Sequence, residues 1–243
     1  MRVLLLGHGR MGQLVESLAQ SYGATIAGVL DEHSGERAIA EGNYGEVDVA
    51  IDFTLADAVA RNLPQLAERG VNVVIGTTGW QSQEAVMREV ARKAGIGVLA
   101  ASNFSLGMNV FQLVVEEAAR RFAAHDEFGA WIHEAHHVMK KDAPSGTAIT
   151  LKKGMEGAGY GRPIDVSSAR AGSIPGTHTI GFDGPSETIE LTHTVRDRAV
   201  FARGALVAAK WLVGKRGWFS MRDMLSEDSG AGHRAPGSEK GRL

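Results

Sequence analysis

Short apolar runs alternate with helical patterns over the first hundred residues of the chain. The run at 2–6 shows no polar alternation, which is typical of a parallel strand covered on both faces. The pattern predicts further strands at 25–30, 47–53, 71–75 and 96–100, and helices at 13–22, 56–69 and 83–93. We expect Pro64 to disturb the second helix, because proline lacks a backbone N–H. This alternation predicts an α/β fold with a doubly wound parallel sheet, whose ligands bind beyond the carboxyl ends of the strands.

The pattern changes after residue 105. The new pattern predicts a helix at 106–124, a strand at 128–132 and a helix from 147. It then predicts strands at 177–182 and 187–195 and a last helix at 199–213. Because the strand–helix alternation is lost, we predict an inserted α+β domain with a mixed or antiparallel sheet. The predicted domains are 1–105 with 199–227, and 106–198. Residues 228–243 are rich in glycine, serine and charge, and are predicted to be a disordered tail.

Composition and charge exclude several classes of protein. The chain has 243 residues and a formal net charge of −2, so nothing suggests a nucleic-acid or membrane partner. The absence of cysteine excludes disulfides and thiolate metal sites, and fits a reducing cytoplasm. No apolar run reaches the roughly 20 residues that span a bilayer. We therefore expect a cytoplasmic protein.

A glycine motif follows the first predicted strand. The sequence GHGRMG at 7–12 lies between a strand and a helix, and the next strand ends at Asp31. This order is typical of a Rossmann-type dinucleotide-binding unit. Gly7 permits the tight turn, Gly9 lets the backbone approach a pyrophosphate, and Gly12 allows close helix–strand packing. Asp31 is placed to accept hydrogen bonds from ribose hydroxyls. An ordinary glycine turn is the alternative, and the context favours cofactor binding.

Two later strand ends also carry polar residues. GTTG at 76–79 and ASNF at 101–104 both follow predicted strands of the parallel sheet. Ligands of such sheets bind at these ends. A polar loop with no ligand explains GTTG equally well from the sequence alone.

A polar stretch at 133–147, HEAHHVMKKDAPSGT, carries the candidate chemistry of the second domain. Histidine gives up a proton near neutral pH, and lysine is a cation that holds carboxylates. Ser145 is placed to cap a helix whose free N–H groups would bind an anion, and Gly146 lets that anion reach the backbone. The pattern suits proton donation to a small anionic substrate. For Lys141 and Asp142, a solvated loop is an equally good explanation.

The stretch also matches HExxH, a zinc-protease signature that requires a helix. Here the stretch continues a strand pattern, in which His133 and His137 would lie roughly 13 Å apart, at about 3.3 Å per residue. Because that distance is too long for one metal ion, we expect no metal site. Arg170, Arg196 and Arg198 form a second candidate anion site, although each alone is typical of a protein surface.

Up to about residue 225, the chain resembles the dihydrodipicolinate (4-hydroxy-tetrahydrodipicolinate) reductases of bacterial lysine and diaminopimelate synthesis. The matching motifs are GHGRMG at 7–12, GTTG at 76–79, ASNFSLGMN at 101–109, EAHHxxKxDAPSGTA at 134–148 and HTVRDRAVFARGALVAAKWL at 193–212. The resemblance implies a Rossmann domain, a substrate domain whose sheet builds a homotetramer, and reduction of a small dicarboxylate by NADH or NADPH. His133 and the tail fall outside it.

The resemblance also implies roles for individual residues. Hydride would go to ring C4, with His136 as general acid and Lys140 as the second catalytic residue. The implied substrate-binding residues are His137, Ser145, Gly146 and Thr147. The implied cofactor-binding residues are Gly7, His8, Gly9, Arg10, Met11, Gly12, Asp31, Gly76, Thr77, Thr78, Ala101, Ser102, Asn103 and Phe104.

One departure from the family concerns the choice of cofactor. Some members carry an arginine directly after the acidic residue of the second strand, where it meets a 2′-phosphate. Here Asp31 is followed by Glu32 and His33, and Arg37 is more distant. Because carboxylates repel a phosphate, we expect NADH to be used at least as well as NADPH.

Two competing functions share the first domain. One is a nicotinamide enzyme that acts on another small acid, such as an amino-acid dehydrogenase. The other is a non-catalytic redox sensor, which would need no proton donor and would usually carry a DNA-binding or docking module. The stretch at 133–147 favours neither.

Overall fold

The computed structural model describes residues 1–35 and 37–230. It contains two compact units, described separately below. The N-terminal unit comprises Met1–Ser102 and the described residues from Ala205 onward, and the central unit comprises Asn103–Gly204. Of the predicted tail, residues 231–243 lie outside the described residues. No helix within the described ranges is both long and apolar enough to cross a membrane.

Eight α-helices and ten strands are described. In chain order they are β1 Arg2–Leu6, α1 Arg10–Ala19, β2 Thr25–Leu30, α2 Ala38–Glu41, β3 Val49–Asp52, α3 Ala56–Glu68, β4 Asn72–Ile75, α4 Glu84–Ala94, β5 Gly97–Ala100, α5 Leu106–Phe122, β6 Gly129–His136, α6 Gly146–Gly157, β7 Ile164–Arg170, β8 Thr177–Asp183, β9 Thr188–Thr194, α7 Ala199–Leu212, β10 Gly217–Phe219 and α8 Met221–Gly230.

The N-terminal unit contains a six-stranded parallel sheet with strand order β10-β5-β4-β3-β1-β2. Strands β3 and β4 are buried along their whole length, as expected for central strands covered on both faces. Apolar side chains of the sheet pack against Leu63 and Leu66 of α3 and Met87 of α4. The sheet confirms the predicted Rossmann-type fold, and its carboxyl ends carry the glycine motif and the GTTG loop.

The central unit contains a mixed four-stranded sheet with strand order β7-β6-β8-β9. β6 pairs in parallel with β7 and antiparallel with β8, which confirms the predicted mixed sheet. Ile132, Ile180 and Phe182 point from one face into a core that includes Leu151 and Met155 of α6. Side chains alternate along a strand, so Glu134 and His136 share the face of Ile132.

Several predicted elements need correction. β7 and β10 occupy segments in which no strand was predicted, since β7 is a half-exposed edge strand and β10 has only three residues. α3 continues through Pro64 without a break in its helical assignment. β6 runs on to His136, four residues beyond its predicted end at 132.

Candidate active site

The glycine loop after β1 contains two glycines that the fold requires and one that faces open space. Gly7 has φ +88°, and a Cβ there would lie 2.3 Å from the carbonyl oxygen of Phe53. A Cβ at Gly12 would lie 2.0 Å from the carbonyl oxygen of Gly7. By contrast, a Cβ at Gly9 would meet no described atom within 4 Å. The fold therefore requires Gly7 and Gly12, while the space at Gly9 is open to a ligand.

A cavity of about 670 Å³ lies beside this loop, at the carboxyl ends of β1, β2 and β3. Of the predicted cofactor residues, Gly7, His8, Gly9 and Asp31 line it. Asp31 Oδ1 accepts hydrogen bonds from the backbone N–H of His33 and the Ser34 hydroxyl. The bond from the His33 N–H lowers the pKa of Asp31, which keeps the carboxylate ionised as an acceptor.

A buried aspartate holds the loops beside this cavity together through hydrogen bonds, an arrangement called the brace below. Asp52 ends β3 and is 1% exposed. Its Oδ1 accepts from the Thr54 hydroxyl at 2.6 Å and the Thr77 hydroxyl at 2.9 Å, and its Oδ2 accepts from Asn62 at 2.9 Å. Thr54 and Asn62 line the cavity. The side chain of Thr77 is thus used to hold the GTTG loop. Sequence reasoning missed this brace, although a carboxylate directly ending an apolar run was a visible signal.

The other predicted cofactor residues are more dispersed. Thr77, Ala101 and Ser102 line a second cavity of about 440 Å³ beyond β4, β5 and β10. Gly76 lies under the Phe53 ring, where a Cβ would come within 2.1 Å of a ring carbon. Arg10 and Met11 begin α1, and Thr78 is exposed in the GTTG loop. Asn103 and Phe104 belong to the central unit, where Asn103 Oδ1 accepts from the Ser105 N–H at 2.9 Å.

In the central unit, one fully buried carboxylate forms hydrogen bonds with several residues of the polar stretch. Glu134 is 0% exposed and accepts two hydrogen bonds from Arg170, at 2.7 Å and 3.1 Å. It also bonds His136 Nδ1 and accepts from the Ser145 N–H at 3.3 Å. Arg170, one of the arginines of the second candidate anion site, is instead paired with Glu134, because β7 lies beside β6 and places Arg170 opposite His136.

These contacts set the charge states of the network. Burial raises the pKa of Glu134, but hydrogen bonds from Arg170, Ser168 and His136 outweigh it and bring that pKa to about 2. Burial lowers the pKa of His136, and Glu134 opposes this effect. Burial also lowers the pKa of His178 to about 4, so this second histidine is neutral at pH 7. Its ring stands edge-on to His136, with centroids 5.1 Å apart.

The remaining predicted residues follow β6. Lys140 Nζ donates to Asp142 Oδ1 at 2.8 Å, and both lie in the loop before α6. Ser145 caps α6, since its hydroxyl oxygen accepts from the Ala148 N–H at 3.2 Å. The same hydroxyl is 3.2 Å from His178 Nε2. Ser145 therefore connects the cap to the buried histidines, as sequence reasoning did not foresee.

The residues that would face an anion are open. A Cβ at Gly146 would meet no described atom within 4 Å, and Thr147 is half-buried in the first turn of α6. His137 Nε2 lies 3.5 Å from the Arg198 guanidinium, so one arginine of the second candidate anion site does approach the polar stretch. This end of the central unit thus combines the N-terminus of a helix with cationic side chains, and the Gly146 N–H there bonds the carboxylate of Asp142.

The HExxH match is not a helix. His133 lies on the opposite face of β6 from His136 and bonds Ser167 at 2.9 Å. Atoms of Glu134, His136 and His178 that could bind a metal ion do lie within 4.8 Å of one another. Because Arg170 already supplies the positive charge that pairs with Glu134, we interpret this cluster as a charge network rather than a metal centre.

Comparison with known proteins identifies the family. The family models "Dihydrodipicolinate reductase, N-terminus" and "Dihydrodipicolinate reductase, C-terminus" match residues 1–104 and 107–225. The chain belongs to the dihydrodipicolinate reductase family. It is thus a member of an oxidoreductase family that functions in lysine biosynthesis, as the motifs implied.

Relatives in this family match along nearly their whole length. A 4-hydroxy-tetrahydrodipicolinate reductase of Christiangramia forsetii is 37% identical, covering 93% of this chain and 98% of the relative. One from Xanthomonas euvesicatoria pv. vesicatoria is 41% identical, covering 92% and 97%. The dipicolinate-bound dihydrodipicolinate reductase from Paenisporosarcina sp. TG-14 superimposes with a TM-score of 0.73 at 22% identity, covering 90% and 97%. An amine dehydrogenase from Mycobacterium smegmatis gives 0.55 at 12% identity, covering 92% and 95%. The two-unit fold alone therefore does not specify the substrate.

Proposed function

We propose that this protein reduces 4-hydroxy-tetrahydrodipicolinate (dihydrodipicolinate) to tetrahydrodipicolinate in lysine and diaminopimelate biosynthesis. The observation that carries the proposal is the constellation at the end of β6. There a buried Glu134–His136 pair adjoins Lys140 and the capped, open start of α6. A proton donor beside an anion site suits reduction of a dicarboxylate. The names of the full-length relatives and the dipicolinate in the Paenisporosarcina structure support the same substrate class.

The N-terminal unit fits a nicotinamide dinucleotide. The cavity beside β1 has the open space at Gly9 for a pyrophosphate and an ionised Asp31 for ribose hydroxyls. When bound, NADH or NADPH supplies the hydride that the proposal directs to ring C4. The chain itself binds and orients the two ligands, and this positioning can account for roughly 7–11 kcal/mol of the barrier at best.

Residues of the central unit hold the substrate and move the proton. His137, Lys140, Ser145, Gly146 and Thr147 are proposed to bind the carboxylates, partly through N–H groups at the start of α6. His136 is proposed to protonate the carbon next to C4 from its Nε2. A positioned general acid contributes about 10²–10⁴-fold to the rate.

We propose that NADH serves at least as well as NADPH. The side chain of Glu32 is 87% exposed on the lining of the cavity, next to Asp31. Arg37 is paired with Glu41 at 2.9 Å, and of the cations Arg61 lines the cavity. Two carboxylates against one guanidinium disfavour a 2′-phosphate. A kcat/KM for NADPH that exceeds the NADH value by tenfold or more would contradict this preference.

A homotetramer in the cytoplasm completes the proposal. The family resemblance implies a tetramer built by the substrate-domain sheet, and one face of that sheet carries polar ladders such as Thr179–Thr192 at 3.0 Å and Thr177–Thr194 at 3.2 Å. The absence of cysteine fits a reducing cytoplasm. Light scattering of the purified protein tests the tetramer directly.

A coupled assay tests the reaction. The purified protein is mixed with NADH and a synthase that makes the precursor from pyruvate and aspartate semialdehyde. Loss of reduced-nicotinamide absorbance that requires the synthase and both of its substrates is the expected result. NADH binding without oxidation would support the dinucleotide site but contradict the proposed substrate. In that case other small dicarboxylates would be tried.

A further inference from the structure

The buried carboxylate at the centre of the polar stretch neither binds substrate nor transfers a proton in the proposed reaction. Glu134 is ionised and fully buried, with Arg170 on β7 as its counter-ion. Burying a charged pair is costly, and replacing it by apolar residues is often neutral for stability. Its position between the proton donor and the helix cap therefore suggests a functional reason.

The first contact of Glu134 fixes the chemistry of His136. An ionised carboxylate only accepts hydrogen bonds, so His136 Nδ1 must carry the hydrogen of the bond between them. The transferable proton is then the one on Nε2. A Cβ at Gly176 would lie 3.1 Å from that Nε2, so the missing side chain of Gly176 leaves room beside the reactive nitrogen.

The second contact reaches the anion site. The Ser145 N–H donates to Glu134 Oε1 at 3.3 Å, and Ser145 is the cap of α6. Arg170 also donates to the Asp142 carbonyl at 2.5 Å, in the loop that carries Lys140. One ion pair thus holds the proton donor, the loop and the first turn of α6.

We propose that Glu134, held by Arg170, is a positioning residue that orients both the proton donor His136 and the carboxylate-binding start of α6. This inference rests on the proposed function, and it adds a residue to the machinery of that same site. It makes the acid strength of His136 depend on Glu134. The charged or titratable groups around His136 are Glu134 on β6, Arg170 on β7, His178 on β8 and Lys140 in the following loop.

The test compares Glu134→Gln with the double variant Glu134→Gln/Arg170→Gln. Glutamine keeps the shape but removes the charge that opposes the effect of burial on the pKa of His136. We expect kcat to fall at least about tenfold, within the 10²–10⁴-fold that a general acid contributes. The alkaline limb of kcat/KM should move to lower pH, and the KM for the dicarboxylate should rise. The dissociation constant of NADH should not change.

The single variant leaves the Arg170 charge buried without its partner, which destabilises the fold, and the double variant removes that charge. It should therefore regain stability but keep the shifted pH profile. Glu156→Gln, at an exposed position of α6, is the matched control and should keep the wild-type profile. A wild-type pH profile in both Glu134 variants would overturn the proposal.

A measurement without turnover separates this proposal from the substrate assignment. Nitrogen NMR of the labelled wild-type protein, with His136 assigned from the His136→Gln spectrum, reports the neutral tautomer. We expect the hydrogen on Nδ1, and a hydrogen on Nε2 would overturn the proposal even if neither Glu134 variant folds. If the hydrogen is on Nδ1 but the protein does not turn over dihydrodipicolinate, the result would support Glu134 as the positioning residue and contradict only the proposed substrate.

Discussion

At the residue scale, burial separates the three histidines of the polar stretch. His136 is 8% exposed and bonded to a buried carboxylate, whereas His133 faces the other side of β6 and His137 is half-buried beside Arg198. A proton donor needs a fixed orientation, which a buried partner provides. This difference supports the proposal that His136 is the proton donor and that His137 is a contact for a carboxylate.

Replacing the proton donor should reduce the rate and spare the cofactor. We expect His136→Gln and Lys140→Ala each to lower kcat by at least about tenfold. The first variant removes the proposed general acid, and the second removes a cation proposed to hold a substrate carboxylate. Steady-state kinetics and NADH titration by fluorescence measure the two effects separately. His133→Gln is the control on the same strand. Equal loss of NADH binding in His136→Gln and Lys140→Ala would show that these residues are structural.

The glycine loop offers a second test of single residues. Gly9 has extended backbone angles, φ −71° and ψ −164°, that alanine adopts without strain. Gly9→Ala should keep its melting temperature but bind NADH at least about tenfold more weakly, because a methyl group would occupy the space for the pyrophosphate. Gly12→Ala should instead lose stability, by about 1–3 kcal/mol from overpacking against Gly7. Unchanged NADH affinity in Gly9→Ala would argue against a pyrophosphate at this loop.

At the element scale, strand register explains which half of the polar network was predictable. Side-chain alternation along β6 places Glu134 and His136 on one face, and this follows from the sequence. The other half comes from neighbouring strands, where Arg170 on β7 lies opposite His136 and His178 on β8 lies opposite Glu134. Register between distant strands cannot be derived from one sequence. β7 was also missed because an edge strand with an exposed side has few apolar residues.

The parallel sheet shows the opposite balance. Its central strands are continuous apolar runs, so their positions and the glycine motif could be predicted. The brace formed by Asp52 could not, because it depends on Thr77 and Asn62 reaching one carboxylate from different elements. Such three-dimensional contacts have no spacing rule.

The start of α6 combines a helix cap with the proposed anion site. Ser145→Ala removes the hydroxyl that accepts from the Ala148 N–H and approaches His178. We expect a loss of about 0.5–2 kcal/mol in the free energy of unfolding. Dipicolinate affinity should fall as well, while NADH affinity is retained. Denaturant unfolding and calorimetric titration measure these quantities, with Ser145→Thr as the variant that keeps the cap. Full dipicolinate affinity in Ser145→Ala would separate the cap from the anion site.

At the scale of the whole molecule, the buried charges predict how stability depends on pH. The pKa of His178 is lowered to about 4, so between pH 6.5 and 4 the unfolded chain takes up a proton that the native protein does not. Stability is then complete above pH 6.5 and falls as the pH falls to 4. The pKa of Glu134, at about 2, acts in a lower range, since its stabilisation is complete above pH 4.5 and is lost between 4.5 and 2.

Acid should therefore destabilise the protein in two separable steps. A pKa lowered from 6.5 to about 4 corresponds to about 3 kcal/mol, most of which is lost before the carboxylate begins to titrate. His178→Gln should flatten the dependence between pH 6.5 and 4 and leave the lower step, because glutamine takes up no proton there. Urea unfolding at a series of pH values gives both slopes. His125→Gln, at an exposed site, is the control and should keep the wild-type dependence. If His178→Gln retained the full slope above pH 4.5, another group would have to bind the proton on unfolding, and His178 would not be the group that links stability to pH in this range.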